Sequence, residues 1–325
     1  MRVLVTGGAG FVGSHIVEGL LARSHEVVVL DNLSSGRFSN LSPGVELFQV
    51  DLRDRRALDR VFTSFRPEVV CHHASSTTGL FDERDPVEDA SVNILGTLHV
   101  LEAMRKAGSR GLVSASTATW LYGDLGEGST ARVDSVPRPT GTRGCAFLAA
   151  ESYLRTYAEE HGFACTILRC GKIYGPRQDA GHESSVVARV AARLREGRAV
   201  GIHGRRVAGD DGCVRDYVYV GDVASAVVKA VEGALPAGVA HVATGRATST
   251  RALVAHLERL LGREASLDHL PPRSRDVGFS VLEPAPPELL APALPLEEGL
   301  RRVLAPLGES AAVRHDVGRR ADAAL

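Results

Sequence analysis

The chain has 325 residues, 44% of them hydrophobic and 24% charged, with a formal net charge of −1. That is a globular chain with room for one large or two unequal domains, and its near-neutral balance excludes the electrostatic footprint of a nucleic-acid binder. The five cysteines (Cys71, Cys145, Cys165, Cys170, Cys213) are odd in number and lack paired metal-ligand spacing. Buried free thiols in a reducing compartment are expected, and no metal. Met1 leads straight into an apolar strand without a charged leader or cleavage site, and no apolar run reaches the ~18 residues of a membrane span. The expected setting is the cytoplasm, with no membrane partner.

The elements alternate from the start. "RVLVTG" (2–7) predicts a buried strand, and "FVGSHIVEGLLARS" (11–24) a helix. "EVVVLD" (26–31) and "VELFQVDL" (45–52) predict the next strands, and "RALDRVFTSF" (56–65) a helix. A strand follows at "PEVVCHHAS" (67–75), one long amphipathic helix at "DASVNILGTLHVLEAMRKAG" (89–108) and a strand at "GLVSAST" (111–117). Strand and helix in turn imply a parallel sheet covered on both faces, and right-handed crossovers make it a doubly wound α/β (Rossmann) fold.

After Cys170 the order loosens. "GKIYGPRQ" (171–178) is a turn-rich crossover, "VVARVAARLREG" (186–197) a helix, and "RDYVYVGDVASAVVKAVEG" (215–233) a strand followed by a helix. The end mixes the helix "STRALVAHLERLLG" (249–262) with Pro-rich loops. The expected division is a dinucleotide-binding domain of 1–170 with 214–243, and a smaller interleaved substrate lobe of 171–213 with 244–325.

"VTGGAGFVGSH" places Gly7, Gly10 and Gly13 directly after a strand and at the opening of a helix. Missing side chains there let backbone approach a pyrophosphate, and the helix N-terminus offers N–H donors. The second strand ends in Asp31, whose carboxylate suits a ribose diol and disfavours a 2′-phosphate, which points to NAD. Arg37, close behind, is the feature that would suit NADP instead.

With these glycines, "DNLSSG" at 31–36, "VDL" at 50–52, "VVCHHAS" at 69–75 and "NILGT" at 93–97, the chain resembles the extended short-chain dehydrogenases/reductases. Among them it is most similar to the NAD-dependent nucleotide-sugar epimerases and dehydratases of the UDP-glucose 4-epimerase type. The resemblance covers almost the whole chain. It implies that Phe11 and Val12 pack at the pyrophosphate, that Asn32 joins Asp31 at the adenosine end and that Asp51 and Leu52 meet the adenine. It further implies that Ala74 and Ser75 pass beside the nicotinamide half, that Asn93 braces the active-site strands, and that the protein is a homodimer.

Family enzymes carry Ser or Thr after the fifth strand and Tyr-x-x-x-Lys on the next helix. "SASTATWLYG" (114–123) resembles the first part, with Ser116 and Thr117 as hydroxyls for a sugar oxygen. The second part is missing: counting back from Glu151 in "AAESYLRTYAEEHG" (149–162) puts Arg143 at the tyrosine position and Phe147 at the lysine position. Tyr153 and Tyr157 lie too far along the helix to substitute, and Tyr174, Tyr217 and Tyr219 match structural positions of the second lobe. Tyr122 matches a tyrosine the family has in addition to the missing one. Lys172 occupies a position that touches the sugar in the family, where an amine can bind an anion or lose its proton. Arg143 is a poor acid but a good stabiliser of a developing alkoxide, unless it turns outward. Arg215 and Arg273 match arginines that grip a nucleotide diphosphate, and Trp120 replaces a small residue, narrowing the sugar pocket or filling core.

Three readings stay open: an NAD-dependent nucleotide-sugar oxidoreductase or epimerase with atypical proton transfer; a ketoreductase of another metabolite that uses a substrate hydroxyl as proton source; and a non-catalytic protein that binds NAD and a nucleotide sugar.

Overall fold

Arg2–Thr6 (β1) is apolar at consecutive positions because both faces of the strand are covered: Val3 and Val5 face one layer of helices, Leu4 the other. The computed structural model describes residues 1–76, 85–181, 185–274 and 276–305. The expected end of the substrate lobe, 306–325, lies outside the described residues.

The chain continues through Phe11–Ala22 (α1), Glu26–Asp31 (β2), Glu46–Gln49 (β3), Arg55–Phe65 (α2), Val69–His72 (β4), Pro86–Ala90 (α3), Gly96–Ala107 (α4) and Gly111–Thr117 (β5). Next come Ala118–Tyr122 (α5), Gly141–His161 (α6), Ala164–Cys170 (β6), Lys172–Tyr174 (β7), Val186–Arg195 (α7), Val200–His203 (β8), Val214–Arg215 (β9), Tyr217–Tyr219 (β10) and Val220–Val231 (α8). Gly238–Val242 (β11), Thr248–Ser249 (β12), Thr250–Leu261 (α9), Leu267–Leu270 (β13), Phe279–Ser280 (β14) and Leu296–Leu304 (α10) complete it.

Seven strands form one parallel sheet in the order β11-β6-β5-β4-β1-β2-β3, the doubly wound α/β fold that the alternation predicts. Ile16, Val17 and Leu20 of α1 and Val223 and Val227 of α8 cover one face. Leu58 and Phe62 of α2, Leu101 and Met104 of α4 and Leu154 of α6 cover the other. The order reverses between β1 and β4, which opens a crevice at the carboxyl ends of the strands. Above it stand three small sheets, β7 with β10, β12-β9-β14, and β8 with β13. Their core contains Val190 and Leu194 of α7, Leu253 and Leu257 of α9 and Leu300 of α10. β11 returns to the edge of the main sheet after β10, so the chain crosses between the two layers more than once.

Two expectations need correction. The helix expected at 89–108 is interrupted: α3 passes through a π-helical turn at Ser91–Leu95 before α4 begins. The wider turn shifts the helical register and falls on Asn93. The thiols are not all buried either. Cys71, Cys165 and Cys170 are, but Cys145 faces outward on α6 and Cys213 is half-buried. No described helix is long and apolar enough to cross a membrane. Among the described residues, no cluster of His, Cys, Asp and Glu could hold a metal ion.

Candidate active site

The crevice is a single cavity of about 1090 Å³. Pockets for one small molecule run to about 1,000 Å³ at the upper end, so two ligands end to end suit this space.

Its floor is the turn after β1. Gly7 has φ +69°, and a Cβ there would lie 2.7 Å from the Ala74 amide nitrogen. A Cβ on Gly13 would overlap the Gly7 carbonyl, so glycine is required where α1 folds back onto β1. Gly10 precedes α1, and no side chain caps the helix. The first N–H groups of α1, at Phe11, Val12 and Gly13, thus belong to the cavity wall, as an anion site requires.

Asp31 is buried at the end of β2 and also lines the cavity. Its Oδ2 accepts from the Ala9 amide at 3.0 Å and its Oδ1 from the Leu33 amide at 2.8 Å. Burial raises its pKa, and the two amides oppose that rise. Each oxygen keeps a lone pair, so a diol donating two hydroxyls fits. Asn32 donates to Asp51 at 2.9 Å, while Arg53 grips Asp51 through Nε and Nη2, both at 2.8 Å, and holds its carboxyl well below the usual range. Leu52 lies buried beside them against Gly96. Arg37, the feature that would suit a 2′-phosphate, is ion-paired with Asp179 at 2.7 Å. Open backbone donors, a diol acceptor and buried Leu52 beside them fit a dinucleotide of the NAD type.

Ala74 and Ser75 run along the cavity after β4. Asn93 braces this segment, accepting from the Ser76 amide at 2.9 Å and donating to Asp89 at 2.7 Å. His72 is locked between Thr6 (2.8 Å) and Thr97 (3.0 Å), and burial pushes its pKa down to about 4. His73, which the sequence reading did not single out, lines the cavity with both ring nitrogens buried and unpartnered among the described residues. Burial, with His72 next to it, pushes it down to about 3, so it is a neutral imidazole at physiological pH. The signal was its place in the chain: His73 directly follows the carboxyl end of β4, where the crevice opens.

At the chemical end, Ser116, Thr117, Trp120, Arg143 and Phe147 all line the cavity. The Ser116 hydroxyl is buried with no partner among the described residues, which suits a ligand oxygen. Arg143 turns inward, its guanidinium 5.5 Å from the centre of the Phe147 ring. Tyr122 is committed elsewhere. Its hydroxyl accepts from Arg169 Nη1 at 2.7 Å and meets His241 Nε2 at 2.8 Å, while Arg169 is paired with buried Glu151 at 2.7 Å.

The upper wall is cationic. Lys172, Arg189, Arg215 and Arg273 line it together with one carboxylate, Asp276, among the described residues. Arg215 donates to Asp276 at 2.8 Å. β7 and β10 are parallel with Lys172 opposite Tyr217, so Tyr217 also reaches the cavity instead of serving the lobe core alone. Burial pushes the Lys172 ammonium down to about 7, helped by Arg215, Arg143 and Arg189 and opposed by Asp276.

Residues 3–241 match the family model of the NAD dependent epimerase/dehydratase family. The UDP-glucose 4-epimerase of Mycolicibacterium smegmatis is 37% identical over 288 residues, 87% of this chain and 90% of that protein. The crystal structure of the Thermus thermophilus UDP-glucose 4-epimerase complex with NAD superposes with a TM-score of 0.88 at 43% identity, covering 94% of this chain and 98% of that one. That of the Thermotoga maritima UDP-glucose 4-epimerase with UDP-glucose gives 0.86 at 36% identity, covering 94% and 97%. The chain is therefore an enzyme of the extended short-chain dehydrogenases/reductases and belongs to the NAD-dependent epimerase/dehydratase family, with NAD as its cofactor.

Proposed function

We propose that this enzyme is an oxidoreductase or epimerase of a nucleotide sugar that manages without the usual phenol and amine. The observation that carries the reading is the cavity itself: one continuous space joins the glycine turn and Asp31 to Ser116, Arg143 and the arginines of the upper wall. NAD, when bound, supplies the hydride acceptor. Gly7, Gly10, Phe11, Val12 and Gly13 would hold its pyrophosphate, Asp31, Asn32, Asp51 and Leu52 its adenosine, and Ala74, Ser75 and Asn93 the wall along its other half.

Arg215 and Arg273 grip the diphosphate of the substrate, since guanidinium forks match phosphate oxygens. Trp120 walls the sugar. Ser116 and Thr117 hold the reacting sugar oxygen and pass its proton to solvent, while Arg143 offsets the charge left on that oxygen. Charge stabilisation thus takes over part of what proton transfer does in relatives with the phenol. Of the two roles the sequence leaves to Lys172, we assign it anion binding. A homodimer working in the cytoplasm belongs to the same reading, and light scattering of the purified protein would report its mass.

Mass spectrometry of ligands carried through native purification tests the proposal. Co-purified NAD together with a sugar nucleotide is the expected result. A protein that retains NAD but binds neither UDP nor TDP would instead match a reductase of another metabolite.

A further inference from the structure

Arg37 and Arg53 line the cavity from the loops that follow β2 and β3, and each guanidinium is committed to carboxylates. Arg53 pairs with Asp51 at 2.8 Å and with Glu88 at 2.8 Å. Arg37 donates from Nη2 to Asp179 Oδ2 at 2.7 Å. The two arrangements differ in where the carboxylate comes from. Asp51 and Glu88 belong, like Arg53, to the part of the chain that builds the main sheet. Asp179 lies between β7 and α7, among the elements of the small sheets above the crevice. The Arg37–Asp179 pair therefore joins the two layers, and both of its members line the cavity.

The backbone of Arg37 is fixed beside the ribose acceptor. Its amide donates to the Ala9 carbonyl at 2.9 Å, and the Ala9 amide donates to Asp31 Oδ2 at 3.0 Å. Gly36, the residue before it, packs so closely that a Cβ there would meet both Asp31 carboxylate oxygens at 2.9 Å. A guanidinium rooted at this point can reach a phosphate on the ribose 2′-oxygen, as an arginine near the ribose does in dinucleotide folds that accept NADP. The Asp179 carboxylate is oriented against that use. Its Oδ1 accepts from the Gly181 amide at 2.8 Å, which leaves Oδ2 to Arg37. Arg177, two residues earlier, also lines the cavity, but it is paired with Glu18 of α1.

We propose that Asp179 is a cofactor-specificity residue: reaching across from the small sheets, it engages Arg37 and so denies a 2′-phosphate the arginine that would bind it. Asp179 acts through Arg37 and is a positioning residue. The inference concerns the cofactor alone and is independent of which sugar the enzyme takes. Two effects add. An exposed ion pair is weak, so drawing Arg37 away from Asp179 costs NADP no more than about fivefold in affinity. The Asp179 charge, left unpaired near a dianionic phosphate, adds a screened repulsion of about twofold. Asp31 remains the main barrier, because its carboxylate stands at the ribose itself, and Asp179 sharpens the choice.

Displacement of bound NADH tests the proposal. The enzyme is loaded with NADH, NAD or NADP is titrated in, and the fluorescence of bound NADH is read at equilibrium. In the unaltered enzyme NAD is expected to displace it at a concentration about 100-fold or more below that of NADP. In Asp179→Asn that gap should narrow by about five- to tenfold, through NADP, while the NAD midpoint moves by less than about twofold. Asp179→Glu should keep the gap. Adding Arg37→Met to Asp179→Asn should abolish most of the gain for NADP, a reversal that mere loosening of the loop would not produce. The two side chains are 65% and 55% exposed, so these variants leave the core intact. Equal displacement by NAD and NADP in the unaltered enzyme, an unchanged gap in Asp179→Asn, or a gain that persists when Arg37 is also replaced would overturn the inference.

Discussion

The Arg143 guanidinium lies 5.5 Å from the centre of the Phe147 ring, one turn farther along α6, and both side chains line the cavity. On the function proposed above, a fixed charge over an apolar ring stands where the resemblance puts a phenol and an amine. The cation–ring contact holds the guanidinium on the cavity side of the helix.

Arg143→Met is expected to lower kcat by about 10²–10³-fold, the cost of removing one donor that stabilises a developing oxyanion. Arg143→Lys should recover part of the loss. The double change Arg143→Tyr with Phe147→Lys should add general acid–base catalysis, a gain of up to about 10²–10⁴-fold on a UDP-hexose. Steady-state kinetics on the three variants checks this, and Arg143→Met with unchanged kcat would remove the arginine from the chemistry.

Trp120 is the only tryptophan of the chain and lines the cavity. NADH is expected to quench its emission by energy transfer, with a saturable titration. Asp31→Ala should weaken that titration by about tenfold or more, because it removes an ionised acceptor of ribose hydroxyls. Unchanged emission at saturating NADH would contradict the placement of the nicotinamide end.

Glu151 and Arg169 form an ion pair at 2.7 Å, with side chains 2% and 5% exposed, that ties α6 to β6 and through Tyr122 to His241. Glu151→Gln leaves a guanidinium buried without its counter-charge. An expected loss of about 3–5 kcal/mol should appear in denaturant unfolding. Replacing both partners by methionine should cost less. A single variant as stable as the parent would show that the pair is not what anchors α6.

Among the groups with depressed pKa values, two histidines and one lysine make the stability of the protein depend on pH in separate windows. His72, at about 4, and His73, at about 3, bind fewer protons folded than unfolded, so stability falls as pH drops from about 6.5. Lys172, at about 7 against an ordinary 10.5, acts in the same sense higher up: its penalty is full below about 7 and fades as pH rises. Between pH 7 and about 8.5, below the range of the raised cysteine thiols, the ligand-free enzyme should gain stability with pH relative to Lys172→Met. Parallel thermal unfolding curves for the two proteins across that window would contradict it.

The main sheet was legible because its strands are buried on both faces and show as unbroken apolar runs, "VLV" and "VVVL" among them. Gly7, Gly10, Gly13 and Asp31 were legible because chain direction alone brings a strand end, a turn and a helix start together. The second lobe was not. β9 and β14 are two residues each, and they pair only because tertiary packing brings Val214 beside Phe279. The same holds for Tyr217, which enters the cavity through its register with Lys172, a relationship that no local pattern encodes. Nor does periodicity announce the π turn at Asn93, since one wide turn leaves the apolar spacing on either side intact.

The most direct test of the central claim is hydride transfer itself. The NAD-loaded enzyme is mixed with UDP-glucose in a stopped-flow instrument, and the fluorescence of reduced nicotinamide is followed, with UDP alone as control. Transient reduction with a sugar nucleotide, absent with UDP, is the expected result. No reduction with the sugar nucleotide, despite demonstrated binding of UDP and NAD, would contradict the claim that this cavity moves hydride.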